Sequence, residues 1–137
     1  MTVRAALALA AALVPAAVGA YTPDVEFALN CQGCHRADGG ETPGSVPAIA
    51  NHVARFLAVP GGREYLVQVP GVAQAPLDDA TLAAVINWML AHYDRAHIPK
   101  DFTPYTEAEV AKLRKDPLVN VEALRTKLLK TIEPKAP

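Results

Sequence analysis

Cys31-Gln32-Gly33-Cys34-His35 contains the only two cysteines of the 137-residue chain, with a histidine directly after the second. Two thiols three positions apart on a short turn can each add to one vinyl group of a single porphyrin. The spacing C-x-x-C-H reads as a c-type haem attachment site. The histidine that follows is carried under the iron, where its imidazole can serve as the proximal ligand. On this reading Cys31 and Cys34 hold one haem c covalently and His35 is the axial iron ligand. The cofactor does the redox chemistry, while the chain anchors, shields and tunes it.

Five residues leave rival readings open. A structural disulfide across so short a ring closes little chain entropy. A thioredoxin-like pair expects a preceding strand and a βαβ setting, and the sequence offers neither. A zinc site needs four ligands, usually two Cys or His pairs. Here there is one Cys pair, and His92 and His97, five apart, lie far downstream.

The N-terminus favours haem over these rivals. Arg4 is followed by an apolar run from Ala5 to Val14, too short to cross a bilayer as a helix. Pro15 breaks the run, and Val18-Gly19-Ala20 sets small or modest residues before a cleavage point after Ala20. This reads as a secretory signal peptide; the alternative is an uncleaved anchor. In bacteria haem c is attached outside the cytoplasm, so leader and motif support each other and place the protein in the periplasm. The mature chain is 137 − 20 = 117 residues, room for one domain. Without Arg4 it carries 12 basic against 14 acidic residues. That balance points neither to nucleic acid nor to an anionic membrane surface; membrane contact is expected only through the export signal.

Outward from the motif, an all-α chain is expected. Thr22-Pro23-Asp24 opens a first helix, with Thr as N-cap, Pro at the first position, and Asp24 and Glu26 at the positive dipole end. It runs into the motif. Ala37 to Val46 reads as loop. Ala48, Ile49, Val53, Phe56 and Leu57 then give an apolar helical face, ended by Pro60-Gly61-Gly62. A short helix from Arg63 to Val69 is closed by Pro70-Gly71. Asp78 caps the clearest helix, Asp79 to about Tyr93, where Leu82, Val85, Ile86 and Met89 recur at helical spacing beside Trp88. Beyond Pro99 and Pro104, Thr106 and Glu109 form a capping box for a helix to about Lys115. Past Pro117, Val121, Leu124, Leu128, Leu129 and Ile132 make another apolar stripe, and Pro134 to Pro137 should be disordered.

The stretch from Thr22 to Tyr93 resembles a class I cytochrome c domain. The likeness rests on a helix leading into Cys31-x-x-Cys34-His35, a loop with short helices, and a last amphipathic helix containing an aromatic. It implies a haem-wrapping helical domain over 21–96, after the leader 1–20, with 97–137 as a helical extension and tail. It implies that the first and last helices cross, so that Phe27 or Ala28 meets Trp88. It implies also that the Pro47 carbonyl accepts from His35, which would fix the ring tautomer. One departure stands out. The family places a distal methionine shortly before the last helix, and Val69 to Pro76 contains none. Met89, Gln74, His52 or no side chain at all remain as candidates for the sixth position. Met89 has core filling as its plainer role, and His52, His92 and His97 read as surface or helix-end residues.

The expected function is therefore a periplasmic monohaem electron carrier, not an enzyme, exchanging single electrons with redox protein partners such as a donor dehydrogenase or a terminal acceptor. No Ser-His-Asp set, phosphate loop or paired-carboxylate motif is evident. Two alternatives are a cytochrome subunit of a periplasmic dehydrogenase and a haem protein whose open distal site binds small ligands.

Overall fold

The computed structural model describes residues 21–132, so the expected leader and the proline-rich tail lie outside the described residues. The described chain is helical. Its one β feature is an isolated bridge between Thr42 and Val46, and no described helix is long and apolar enough to cross a membrane.

Helix α1 (Pro23–Asn30) starts where Pro23 needs no amide donor. Thr22 takes the extended N-cap backbone but caps nothing with its side chain. Its hydroxyl is spent on the Asp24 carboxylate, which that bond holds below the ordinary carboxylate range. Glu26 is buried and accepts from the Asn30 side-chain amide at 3.0 Å.

The loop after the motif is pinned onto the last core helix. Gly39 has a φ of 71°, and its carbonyl accepts from the Ile49 and Ala50 amides at 2.9 and 3.0 Å. A Cβ at Gly39 would lie 2.6 Å from the Tyr93 ring, so glycine alone allows that approach. The Tyr93 hydroxyl closes the contact by donating to the Ala37 carbonyl at 3.0 Å. These bonds shorten the helix expected over the Ala48–Leu57 face. The Asn51 amide donates to the Tyr93 carbonyl at 3.0 Å with Asn51 at φ 60°, and only a 3₁₀ helix, Val53–Ala58, follows. Tertiary partners have taken the amides that a longer helix would have used.

Helix α2 (Gly62–Gln68) packs on that 3₁₀ segment so closely that a Cβ at Gly62 would stand 1.8 Å from the Phe56 carbonyl oxygen. Pro70-Gly71 ends α2 as expected, but it also opens a four-residue helix, α3 (Pro70–Ala73). Proline at a first helical position loses nothing, so a stop signal for one helix serves as a start for the next.

Helix α4 (Asp79–Tyr93) has the expected bounds, with Asp78 accepting from the Thr81 amide at 2.8 Å. It lies between α1 on one side and α5 (Glu107–Leu113) on another. Two neighbours bury more than a single stripe: Ala83 and Leu90 join Leu82, Val85 and Ile86 in the core. Thr106 caps α5 by accepting from the Glu109 amide at 3.3 Å. The reciprocal half of the capping box is not made, because the Glu109 carboxylate pairs with Arg63 at 2.5 and 2.7 Å. Helix α6 (Val121–Ile132) packs on the 3₁₀ segment.

The C-terminal stretch shares the core of the rest. Tyr105, Val110 and Leu128 are buried within it, and each such side chain contributes roughly 1.5–3 kcal/mol. Asn87 exchanges two bonds with the backbone of Tyr105, at 2.8 and 2.9 Å. Arg114, just past α5, donates to the carbonyls of Ala73, Ala75 and Leu77 and to the Asp79 carboxylate.

Candidate functional site

The motif forms a tight turn off the end of α1. The Cys31 amide still bonds the Phe27 carbonyl at 2.9 Å. The Cys34 and His35 amides then fold back onto the Cys31 carbonyl at 3.1 and 2.9 Å. The turn sets two free thiols on one short arc, Cys31 half-buried and Cys34 exposed. Burial, then the neighbouring Cys34, pushes the Cys31 thiol up. Thr42 ties the following loop to the turn by donating its hydroxyl to the Cys34 carbonyl at 3.1 Å.

His35 lines a cavity of about 300 Å³. Its other walls are mainly apolar: Val46, Pro47 and Ile49 from the loop, Phe56 and Leu66 from the short helices, and Val69 and Val72 around α3. Burial lowers the pKa of His35 from its ordinary 6.5, so the ring is neutral near neutral pH and a lone pair is free for a metal. Its Nδ1 is buried and has no hydrogen-bond partner. Pro47 lines the same cavity, yet the bond expected from its carbonyl is not made. The amides after Pro47 fix the course of the loop by bonding the Gly39 and Tyr93 carbonyls, and the His35 ring packs on Phe27 at 6.4 Å.

These residues fit a porphyrin. Among the described residues no three His, Cys, Asp or Glu side chains come together as a metal cage. A haem iron does not need one, because the macrocycle brings four nitrogens of its own. A single neutral imidazole, an unsatisfied ring nitrogen, an apolar cavity and two adjacent thiols suit that occupant. A second cleft of about 390 Å³ opens around Arg63, Phe102 and Glu109, away from His35. Arg63 and Glu109 pair with each other there, and its lining offers no soft ligand.

No family model matches the chain. Over 112 residues it is 37% identical to cytochrome c-552 of Thermus thermophilus, a match covering 69% of this chain and 86% of that protein. A second cytochrome c-552, from a particular strain of Thermus thermophilus, matches with the same identity over 76% of its length. The chain is a class I c-type cytochrome. It accordingly carries one covalently bound haem c and belongs among electron carriers that exchange electrons with redox proteins.

The cytochrome's remaining candidates separate cleanly. Met89 and Val69 line the cavity with His35. Gln74 is exposed and His52 is exposed with its Nδ1 against the Ala50 carbonyl at 2.7 Å; neither lines the cavity. His92 is an exposed ring stacked on Trp88 at 4.6 Å. The expected crossing of first and last helices is made by Phe27, whose ring meets Trp88 at 5.3 Å and Tyr93 at 5.4 Å. His97 is more than a surface helix end, because it pairs with Asp94, a carboxylate 2% exposed that also accepts from the Ala54 amide at 2.7 Å. An acid just after a helix gave no sequence signal of that burial. Val121 and Arg125 of α6 also line the cavity. The apolar stripe of α6 predicted a packed face but could not say that the face would meet the haem pocket.

Proposed function

We propose that this cytochrome is a periplasmic monohaem electron carrier in which Cys31 and Cys34 form the two thioether links and His35 is the proximal ligand. Each thiol adds across one vinyl group, its sulfur bonding one carbon and its proton going to the other. The haem supplies an iron that takes up and gives up one electron. The chain does the rest: the turn fixes His35, Phe27 backs its ring, and mainly apolar walls set the surroundings of the haem, which tunes the potential. Residues 1–20 act as the export signal, 21–96 as the haem domain and 97–137 as a clasp on it.

The observation that carries this reading is the placement of His35, one residue after the second thiol, at the wall of an apolar cavity where burial keeps its ring neutral. The test is Cys31→Ala with Cys34→Ala, expressed with export and haem maturation. The wild-type chain should gain the mass of one haem that resists acid–acetone extraction, and the double variant should lose it. Retention of normal covalent haem by the variant refutes the attachment.

One feature favours a standing assembly with a dehydrogenase. Tyr21, Val25 and Leu29 are exposed, the outer two at 65%, and recur every fourth residue into and along α1, directly before the thiols. Such a stripe suits an apolar partner surface close to the haem. Co-purification that survives high salt would mark a subunit, whereas loss in dilute buffer marks a transient carrier.

A further inference from the structure

The C-terminal stretch brings a charge to a cavity that is otherwise neutral. Val121 and Arg125, four apart and so on one face of α6, both line it. Leu128 of the same helix is buried in the core, and α6 packs on the 3₁₀ segment, whose Val53 and Phe56 line the same cavity. With His35 neutral, Arg125 is the one lining residue that carries a full charge near neutral pH. It is half-buried, so solvent reaches it as well.

Tyr65 lines the cavity from α2, 6% exposed, with its ring stacked on Phe56 at 4.9 Å. Its hydroxyl has no hydrogen-bond partner among the described residues. The other two buried tyrosines are satisfied: the Tyr93 and Tyr105 hydroxyls donate to the Ala37 and Arg63 carbonyls at 3.0 and 2.8 Å. The Arg125 charge acts on the Tyr65 phenol, so a group from the core and a group from α6 face one region. Burial raises the Tyr65 pKa, which keeps the phenol a neutral donor. A guanidinium that solvent reaches needs no partner to be stable. A phenol enclosed in the core is short of an acceptor, and the neighbouring cation sets the sign of the acceptor that belongs there. A haem brings two propionate carboxylates into this cavity. A carboxylate stays ionised only where it is hydrated or paired, and the half-exposed Arg125 provides for both.

Resting on the haem reading above, we propose that Tyr65 and Arg125 together donate to one propionate carboxylate of the haem, and that Arg125 thereby raises the midpoint potential. Both act as positioning residues. Uncompensated negative charge near the iron favours the ferric state, and a cation paired with that charge offsets the preference. The carboxylate accepts a charge-assisted bond from the guanidinium and a neutral one from the phenol. Because Arg125 stands in the stretch that extends beyond the cytochrome c likeness, α6 would be a clasp that tunes the haem as well as packing beside it.

The experiment uses the mature full chain with its covalent haem first confirmed by mass and its propionate carboxylates carbon-13 labelled. Redox titration gives the midpoint potential, and redox-difference infrared spectra give the labelled carboxylate bands. The proteins are wild type, Arg125→Leu, Arg125→Lys, Tyr65→Phe and Lys127→Leu, the last an exposed charge on the same helix. Arg125→Leu should lower the potential, raising the ferric-to-ferrous ratio at fixed potential about threefold, or about 28 mV, and should move one labelled band. Arg125→Lys should recover most of the potential, since the charge is kept, yet still move the band, since the planar fork is lost. Tyr65→Phe should move the same band with a smaller fall in potential. Lys127→Leu should leave the band in place. Labelled bands that ignore both Arg125→Leu and Tyr65→Phe overturn the proposal. So does a fall in potential in Lys127→Leu as large as in Arg125→Leu, which would mark a general effect of net charge. Those results leave the attachment reading intact, whereas a wild-type chain without covalent haem would overturn both.

Discussion

Two arginines of the C-terminal stretch stand in opposite conditions. Arg114 is saturated: three carbonyls and the Asp79 carboxylate accept from it, and its side chain is 16% exposed. Arg125, one helix later, meets no acceptor among the described residues although it lines a cavity. The same contrast divides the molecule. Around α4 and α5, Asn87, Arg63, Asp94 and Tyr105 all have partners. Around the cavity His35 has none at Nδ1. Buried polar groups are normally paired, and among the described residues the buried side-chain atom left unpaired lies beside the cavity.

The largest expected effect separates those halves. Without its thiols, in the Cys31→Ala, Cys34→Ala chain, covalent haem should be lost altogether. Amide exchange protection should then collapse over the cavity walls, residues 46–72, while α4 and α5 retain most of theirs. Uniform loss of protection would erase the division and make the haem the organiser of the entire fold.

Next in size is the buried carboxylate. Asp94 holds the Ala54 amide across forty residues and pairs with His97. Asp94→Ala strands both and should cost about 3 kcal/mol, measured by urea unfolding of the holoprotein. His97→Ala should cost much less, since Asp94 keeps its backbone partner. Near-equal losses would show that the pair matters more than the amide bond.

The two arginines then provide a direct comparison. Arg114→Ala leaves carbonyls of the 73–77 segment without a donor and should cost about 2 kcal/mol. Arg125→Ala removes a cation that no described residue accepts from, and its stability should lie within about 0.5 kcal/mol of wild type. A large loss at Arg125 would mean that the cavity wall depends on it structurally.

The sequence disclosed these two halves unequally. The five motif residues, the bounds of α4 and the capping residues Asp78 and Thr106 were legible because each depends on neighbours within a turn or two. The 3₁₀ segment, the second life of Pro70-Gly71 and the unmade half of the Thr106–Glu109 box were not. Pro70-Gly71 is a local signal that serves equally as a stop and as a start, whereas the first and last are decided by a partner at long sequence distance, the Tyr93 carbonyl for Asn51 and Arg63 for Glu109. Arg125 was hidden for the same reason. A helix's apolar period shows that it packs, and only the tertiary arrangement shows against what.

The smallest effect belongs to the self-sufficient half and has a definite sign. Asp78 accepts from the Thr81 amide and from the Thr81 hydroxyl, each at 2.8 Å, and these bonds hold its carboxyl below the ordinary 3.8. The unfolded chain therefore binds that proton more readily than the folded one. The contribution is whole above the ordinary value and is lost as pH falls through the lower folded value. Asp78→Asn keeps an oxygen acceptor for the helix amide and titrates nothing. Near neutral pH it should match or slightly trail the wild type in urea unfolding, and at about pH 3 it should draw level or overtake it. Because Thr81 and Asp78 stand apart from the cavity, the crossover should be the same with and without covalent haem. A crossover that appears only in the haem-bound protein would mean that the two halves are coupled through α4, and the contrast between the arginines would have to be read as one of degree.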